Sequence, residues 1–282
     1  MKLTKAARRT ASRLVPEGVK VRVRAALKGL ARGSLIDPST LLKIGLFNGF
    51  EVAYRRGTAD ESVLDNSFDR DTIFAEVPEY QLSPADVIVD IGAHIGTFAL
   101  LAASKVSDGA VYAIEACQDT YNLLRINAAL NGMGNLYSHH LALADRNGAC
   151  TLYHDAGNWG HSVVRPFSED SETVECRTLQ QFFADAGIET CSFMKLNCEG
   201  AEFPILLASP PGVLRRIGAM LVRYHCDLWS GNTEEDLIAH LRAAGFECKV
   251  RRRTGKRGAI VAVNSAWPSC PPARDADAVE AC

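Results

Sequence analysis

The sequence predicts an α/β protein built on a mostly parallel β-sheet, and three observations carry that prediction. Apolar runs rich in β-branched residues, such as VIV at 87–89 and AVYAI at 110–114, alternate with amphipathic stretches of helical length, the pattern of strands joined by crossover helices. The first of these strands ends on Asp90 and passes through Gly92 and Gly96 directly into TFALLAA at 97–103, giving strand, glycine turn and helix in succession. The second ends on Glu115, roughly 20 residues past the turn, where an acid is placed to bind both hydroxyls of a ribose. The glycines follow D-x-G-x-x-x-G and lack the third glycine that admits a pyrophosphate, so the ligand reads as a nucleoside without one.

In chain order, residues 1–34 form a basic leader broken by Pro16, Gly18, Gly29 and Gly33. It reads either as a solvated, partly disordered arm or as a segment drawn weakly to an anionic membrane surface. Residues 35–82 read as an N-terminal α/β extension packed on the core, with a strand at 50–54 and helical spacing over 61–77. Asp60 there either caps the following helix or faces the site, as Glu79 and Tyr80 also do on the second reading. The core spans 83–265. A helix at 119–131, apolar at Leu123, Leu124 and Ile126, precedes a third strand at 136–143. A short strand at 149–154 leads into a polar loop at 155–171, whose Trp159, His161 and Ser162 either contact an acceptor substrate or belong to a surface loop unrelated to chemistry.

A strand at 173–176 and a helix at 179–186 follow, and then a strand at 192–196 delivers Asn197, Cys198 and Glu199 to its carboxyl end, where open α/β sheets bind ligands. Glu199 and Glu202 also suit the first turn of a helix, complementing its dipole; we assign Glu199 to the ligand side and Glu202 to structure. A strand at 219–224 brings His225 to the same edge, and imidazole takes a proton near neutral pH without a large shift. A helix at 233–244 and strands at 246–250 and 259–263 close the core. The turn between those strands, 251–258, holds five positive charges that either steer an anionic ligand or keep a hairpin edge solvated. The tail 266–282, rich in Pro, Ala and acids, reads as disordered.

With 282 residues and 47% hydrophobic content, the chain suffices for one sizeable core. Its formal charge of −2 speaks against a nucleic-acid-coating surface. That balance is uneven: residues 1–32 hold ten Lys or Arg and one acid, leaving 21 bases and 32 acids, a net of −11, for the rest. Nine cysteines without a C-x-x-C pair point to reduced thiols and a cytoplasmic location. No stretch reaches the length of an apolar membrane span.

Four pieces occur in order: YRRGTADESVL at 54–64, IVDIGAHIGTFAL at 88–100, Asn127 and Asn131 within RINAALNG, and FMKLNCEGAEFPIL at 193–206; Tyr224-His225 in VRYHCDL is a fifth. Together they resemble the FkbM-type family of class I S-adenosylmethionine-dependent methyltransferases over about residues 50–263. The resemblance implies a Rossmann-like sheet, mostly parallel with an antiparallel C-terminal strand. It implies S-adenosyl-L-methionine as cofactor, held by Tyr80, Asp90, Gly92, His94, Gly96, Glu115, Asp145 and Asn197. Asp145 would accept from the adenine amine, although an Asp-Arg-Asn-Gly turn explains it as well. The base expected is His225, with Glu199 second, and no metal is assigned. Two positions depart from the family pattern. Asn197, where the family usually has Asp, keeps a carbonyl acceptor but loses the charge. Arg223 stands where Glu is commoner, and Arg cannot orient an imidazole as a carboxylate does.

The activity implied is methyl transfer to a hydroxyl of a sugar, glycolipid or polyketide-like small molecule, an acceptor that is saccharide-containing or anionic. Two alternatives stand beside it. One is N-methylation of nucleic acid or protein, against which the lack of an N-P-P-Y-type motif counts; the other is a catalytically degenerate nucleoside-binding interaction protein.

Overall fold

Strand β3 (Val87–Ile91) sits inside a seven-stranded sheet ordered β11-β12-β10-β9-β3-β4-β5. The remaining members are β4 (Ala110–Glu115), β5 (Leu136–His140), β9 (Cys191–Leu196), β10 (Ile217–His225), β11 (Phe246–Thr254) and β12 (Arg257–Asn264). Strands β10, β9, β3, β4 and β5 run parallel, and β12 lies antiparallel between β10 and β11. This is the mostly parallel sheet with an antiparallel last strand that the sequence predicts. The computed structural model describes residues 42–68, 72–155, 160–166 and 168–267. The leader 1–34 and residues 268–282 of the tail therefore lie outside the described residues.

Both faces of the central strands are covered, which is why β3, β9 and β10 read as mostly apolar runs. Successive residues bury on opposite sides. Ile88 packs with Phe98, Leu100 and Leu123 from α3 (Thr97–Lys105) and α4 (Gln118–Leu130). Val89 instead joins a cluster with Phe182, Leu206 and Leu241 from α5 (Leu179–Asp185), α6 (Glu202–Leu207) and α8 (Glu234–Ala243). α7 (Pro211–Leu214) lies in the second cluster through Val213 and Leu214. Each such buried side chain contributes about 1.5–3 kcal/mol.

The extension differs in detail from the sequence reading. A strand not foreseen, β1 (Leu42–Phe47), pairs antiparallel with β2 (Phe50–Arg55) across Asn48-Gly49, both at positive φ (48° and 87°), a two-residue hairpin turn. The single helical stretch expected over 61–77 is two helices, α1 (Ala59–Phe68) and α2 (Thr72–Ala75). Asn127 and Asn131 act on β2 as a neighbouring strand would. Asn127 accepts from the Ala53 amide (2.7 Å) and donates to the Ala53 and Ile95 carbonyls (3.1 and 2.8 Å), while Asn131 exchanges both bonds with Glu51 (2.9 and 2.8 Å). The extension is thereby tied to α4 and to the glycine turn at once.

The third strand also departs from expectation. It leaves the main sheet at His140, and residues 142–143 form β6 (Ala142–Leu143) in a separate sheet ordered β6-β8-β7, with β7 (Gly148–Tyr153) and β8 (Ser171–Arg177). This small sheet rests on its own apolar cluster, which includes Cys117, Cys150, Leu152, Val174 and Cys176. The described cysteines are all free thiols.

Candidate active site

The order of the sheet reverses at the β3–β9 pair, because β4 follows on one side of β3 and β9 on the other. In such sheets ligands bind in the crevice outside the carboxyl ends of the strands at that point. A cavity of about 510 Å³ opens there, within the ~300–1,000 Å³ of ordinary ligand sites. Gly92, His94, Glu115, Asn197 and Glu199 line it, five residues brought together from three strand ends.

The glycine turn is built by close approach. Gly92 has φ 73°, and a Cβ on it would stand 2.1 Å from the Asn197 carbonyl oxygen, so only glycine lets the two strand ends meet. The Gly92 and Ala93 amides donate to the Ile114 carbonyl (3.0 and 2.9 Å). His94, also left-handed at φ 55°, turns its amide to Glu115 Oε2 (2.8 Å), and the Cys117 amide donates to Oε1 (3.0 Å). Burial raises the Glu115 carboxyl above its ordinary range, and these two amides act in the opposite direction. Beside Glu115, Ala116, Leu141, Leu143, Leu152 and Val163 form an apolar slot.

Asp90 and Gly96 stand behind this wall. Asp90 is fully buried, with Oδ1 held by Lys195 Nζ (2.8 Å), which also donates to the Gly92 carbonyl (2.8 Å); Asp90 Oδ2 is buried with no hydrogen-bond partner. Burial raises the Asp90 carboxyl, and Lys195 opposes it. Lys195 itself reaches the cavity, a residue the sequence reading did not assign. A lysine inside an otherwise apolar strand was its signal. Gly96 caps α3 at φ 87° and packs against Leu124, where a Cβ would lie 2.4 Å away.

Two expected cofactor residues are elsewhere. Tyr80 stacks on Phe193 (4.9 Å between ring centres) and donates to Asp86, just before β3 begins, at the opposite end of that strand from the cavity. Asp145 is half exposed and pairs with Arg146 at 3.1 Å, as the turn reading expects. Asp60 neither caps a helix nor lines the cavity. It is fully buried, takes three donors from Arg55 and lies 3.4 Å from His94 Nε2, tying the extension to the glycine turn. Glu79 pairs with Lys249 (2.6 Å) and does not line the cavity.

On the other rim, Glu199 has φ 50° in the turn after β9. Such a conformation persists where the surroundings hold it. Glu202 supplies that hold, accepting from the Cys198 amide (2.6 Å) and the Gly200 amide (2.9 Å), while Ser162 Oγ donates to the Glu199 carbonyl (2.8 Å). The same Glu202 Oε1 reaches His225 Nδ1 at 3.2 Å, and His225 Nε2 stands 3.6 Å from Glu199 Oε2. Glu202 is thus more than the dipole-complementing acid that the sequence suggests, and it occupies the orienting role for which Arg223 is unsuited. His225 is itself 6% exposed and does not line the cavity; Glu199 stands between. Burial lowers the affinity of His225 for a proton, but the bond to Glu202 and the charges of Glu202 and Glu199 outweigh it and leave its pKa above the ordinary value. Burial raises the Glu199 carboxyl, with His225 opposing.

His161 lines the cavity near Glu115. Its Nδ1 accepts from the Asp155 amide (3.0 Å), which leaves the proton of the neutral ring on Nε2, buried without a partner. Burial lowers its pKa and favours that neutral form. Trp159 lies outside the described residues. Among the described residues, Cys117, His154 and Glu172 bring ligand-type atoms within 4.8 Å of one another, and burial pushes the Cys117 thiol up to about 12. The charges expected in a turn at 251–258 stand mostly on strands, since β11 runs on to Thr254 and β12 begins at Arg257, and they are largely matched by acids: Arg253 faces Glu234 (2.5 Å), Arg257 faces Asp227 (2.8 Å) and Arg251 faces Glu79 (3.3 Å).

These residues fit S-adenosylmethionine. The slot beside Glu115 would accept a flat apolar ring system next to a carboxylate for ribose hydroxyls, and the glycine cradle would admit a chain against the backbone. The family model described as the methyltransferase FkbM domain matches residues 90–248, more than half of the chain. No curated protein matches it. Among solved structures, the methyltransferase FkbM from Methylobacillus flagellatus KT is 14% identical, covering 86% of this chain and 59% of its own, with a TM-score of 0.46. EvdMO1 is 16% identical over 87% of this chain and 47% of its own, TM-score 0.46. M. jannaschii TYW2, solved in complex with AdoMet, is 14% identical over 81% and 87%, TM-score 0.40. The chain belongs to the FkbM methyltransferase family, enzymes that use S-adenosylmethionine.

Proposed function

We propose that the protein transfers the methyl group of S-adenosylmethionine to a hydroxyl oxygen of a sugar, glycolipid or polyketide-like small molecule. The observation that carries this reading is the Glu199–His225–Glu202 array, a carboxylate on the cavity wall backed by an imidazole that a second, buried carboxylate orients. An alcohol is a weak nucleophile until its proton has a destination, and the array is a destination.

When bound, the cofactor supplies an electrophilic methyl carbon on a sulfonium. Glu115 would hold the ribose hydroxyls, His161 Nε2–H would donate to the nucleoside, and Gly92, His94 and Asn197 would form the wall along the cofactor's chain. Asp90 acts from behind through Lys195 and the backbone, and Gly96 by shaping the turn. Glu199 takes the hydroxyl proton at Oε2, which lies 3.6 Å from His225 Nε2. Glu202 fixes the His225 ring through Nδ1. Alignment of hydroxyl and methyl supplies the larger share of the rate.

The test is calorimetric binding of S-adenosylmethionine to the wild type and to Glu115→Ala, followed by transfer of labelled methyl to a panel of sugars and other hydroxylated acceptors. Binding that is lost in the variant, with label recovered in an ether, is the expected result. Absence of binding to the wild type, or label recovered only on nitrogen, would falsify the reading.

A further inference from the structure

One end of the cavity carries a charge arrangement that proton transfer does not use. Arg223, from the carboxyl end of β10, and Arg252, from β11, both line the cavity. Arg252 has φ 48°, at the point where the pairing of β11 with β12 shifts register between Arg251 and Thr254. A bulge of this kind re-aims a side chain, and a left-handed non-glycine residue is held at a cost. It sets the Arg252 guanidinium beside that of Arg223. The two share a single carboxylate oxygen, Glu76 Oε1, at 3.3 and 2.8 Å, while Glu76 Oε2 is buried with no hydrogen-bond partner.

Two cations on one anion leave a net positive charge at this rim. The nearby Lys195 is matched by Asp90, and the wall beyond is apolar, with Val63 and Ile73. A guanidinium presents five N–H donors in a fixed fork, and Glu76 takes one from Arg223. Anchored at one end, the fork is pre-set for a second oxyanion on its cavity side. In the sheet, β10 with Arg223 and β11 with Arg252 lie on the far side of β9 and β3 from β4 with Glu115, so this rim is separate from the nucleoside end of the cavity.

We infer that the methyl acceptor carries an anionic group, a phosphate or a carboxylate, held by Arg223 and Arg252 with Glu76 as their positioning residue. This rests on the methyl-transfer reading of the site. It narrows the acceptor from hydroxylated small molecules in general to acidic ones, such as sugar phosphates and uronic acids. The departure of Arg223 from the Glu commoner in the family then marks the specificity of this chain. Of the five charges at 251–258, it assigns this task to Arg252 alone.

The experiment titrates glucose, glucose 6-phosphate and glucuronate by calorimetry into the protein saturated with S-adenosylhomocysteine. At least one of the two acids is expected to bind about tenfold or more tightly than glucose, a difference of ~1.4 kcal/mol. Arg252→Gln, an exposed position that the fold tolerates, is expected to remove that preference while leaving S-adenosylhomocysteine affinity unchanged. Arg223→Gln, checked for folding by its thermal transition, should do the same. Equal binding of acid and neutral sugar, or a preference that survives both substitutions, overturns the inference and leaves methyl transfer standing. Loss of S-adenosylhomocysteine binding in step with the acids means that the arginines hold the cofactor's own carboxylate, which also overturns it. If the wild type binds no S-adenosylhomocysteine at all, the methyl-transfer reading fails and the inference goes with it.

Discussion

Replacing Glu202 with Gln removes one charge and changes one acceptor oxygen into a donor, without changing the size of the side chain. In the native site Oε1 faces the Cys198 amide and His225 Nδ1, and Oε2 faces the Gly200 amide. Whichever way the new amide turns, its NH₂ meets a backbone N–H inside the fold, since Glu202 is fully buried. A buried donor left unmatched costs about 1–3 kcal/mol, so a loss near 2 kcal/mol and a fall of roughly 5 °C in Tm are expected. The larger consequence is at His225, whose pKa lies above the ordinary value because Glu202 and Glu199 outweigh the opposing effect of burial. Without the Glu202 charge, burial regains weight and the pKa falls.

The assay is an NMR titration of the His225 ring, assigned with His225→Gln, in both proteins. The stability carried by a raised histidine pKa is fully present below the unfolded value near 6.5 and is lost as pH rises through the folded value. The wild type should therefore lose more stability than Glu202→Gln between mildly acidic and mildly alkaline pH. A wild-type His225 titrating at or below the ordinary value, or one that titrates identically in the variant, refutes the argument.

Three further outcomes are expected. Glu199→Gln should slow methyl transfer by about 100-fold while S-adenosylmethionine binding, read by calorimetry, stays near wild type, because the amide no longer takes the hydroxyl proton. Asn127→Ala leaves the Ala53 amide and the Ala53 and Ile95 carbonyls without their partner, and should cost about 3 kcal/mol in denaturant unfolding, with the extension loosened from the glycine turn. Gly92→Ala drives a Cβ into the Asn197 carbonyl at a left-handed position, so cofactor affinity should fall along with an unfolding loss of about 2 kcal/mol or more; near-native values of both would show that the strand ends part easily.

The sequence by itself determined the sheet. Its central strands β3, β9 and β10 are buried on both faces, which writes them as mostly apolar runs, and the glycine turn with Glu115 after the second run follows from backbone sterics and strand length alone. Asn48-Gly49 is also the local signal of a two-residue hairpin, partly obscured by Lys43 and Gly45 in the flanking Leu42–Phe47 strand. Other features were decided by contacts between residues far apart in the chain. Whether Asp145 and Tyr80 reached the cavity depended on where β5 left the sheet and on which end of β3 received the tyrosine, and no local pattern carries either. The pairing of His225 with Glu202 across 23 residues, of Lys195 with Asp90 across 105 and of Arg223 with Glu76 across 147 exists only once the sheet order is set. Periodicity reports which face a side chain takes, since that depends on the backbone next to it. Which charge it meets there depends on the neighbouring strand, and that is settled by the tertiary fold.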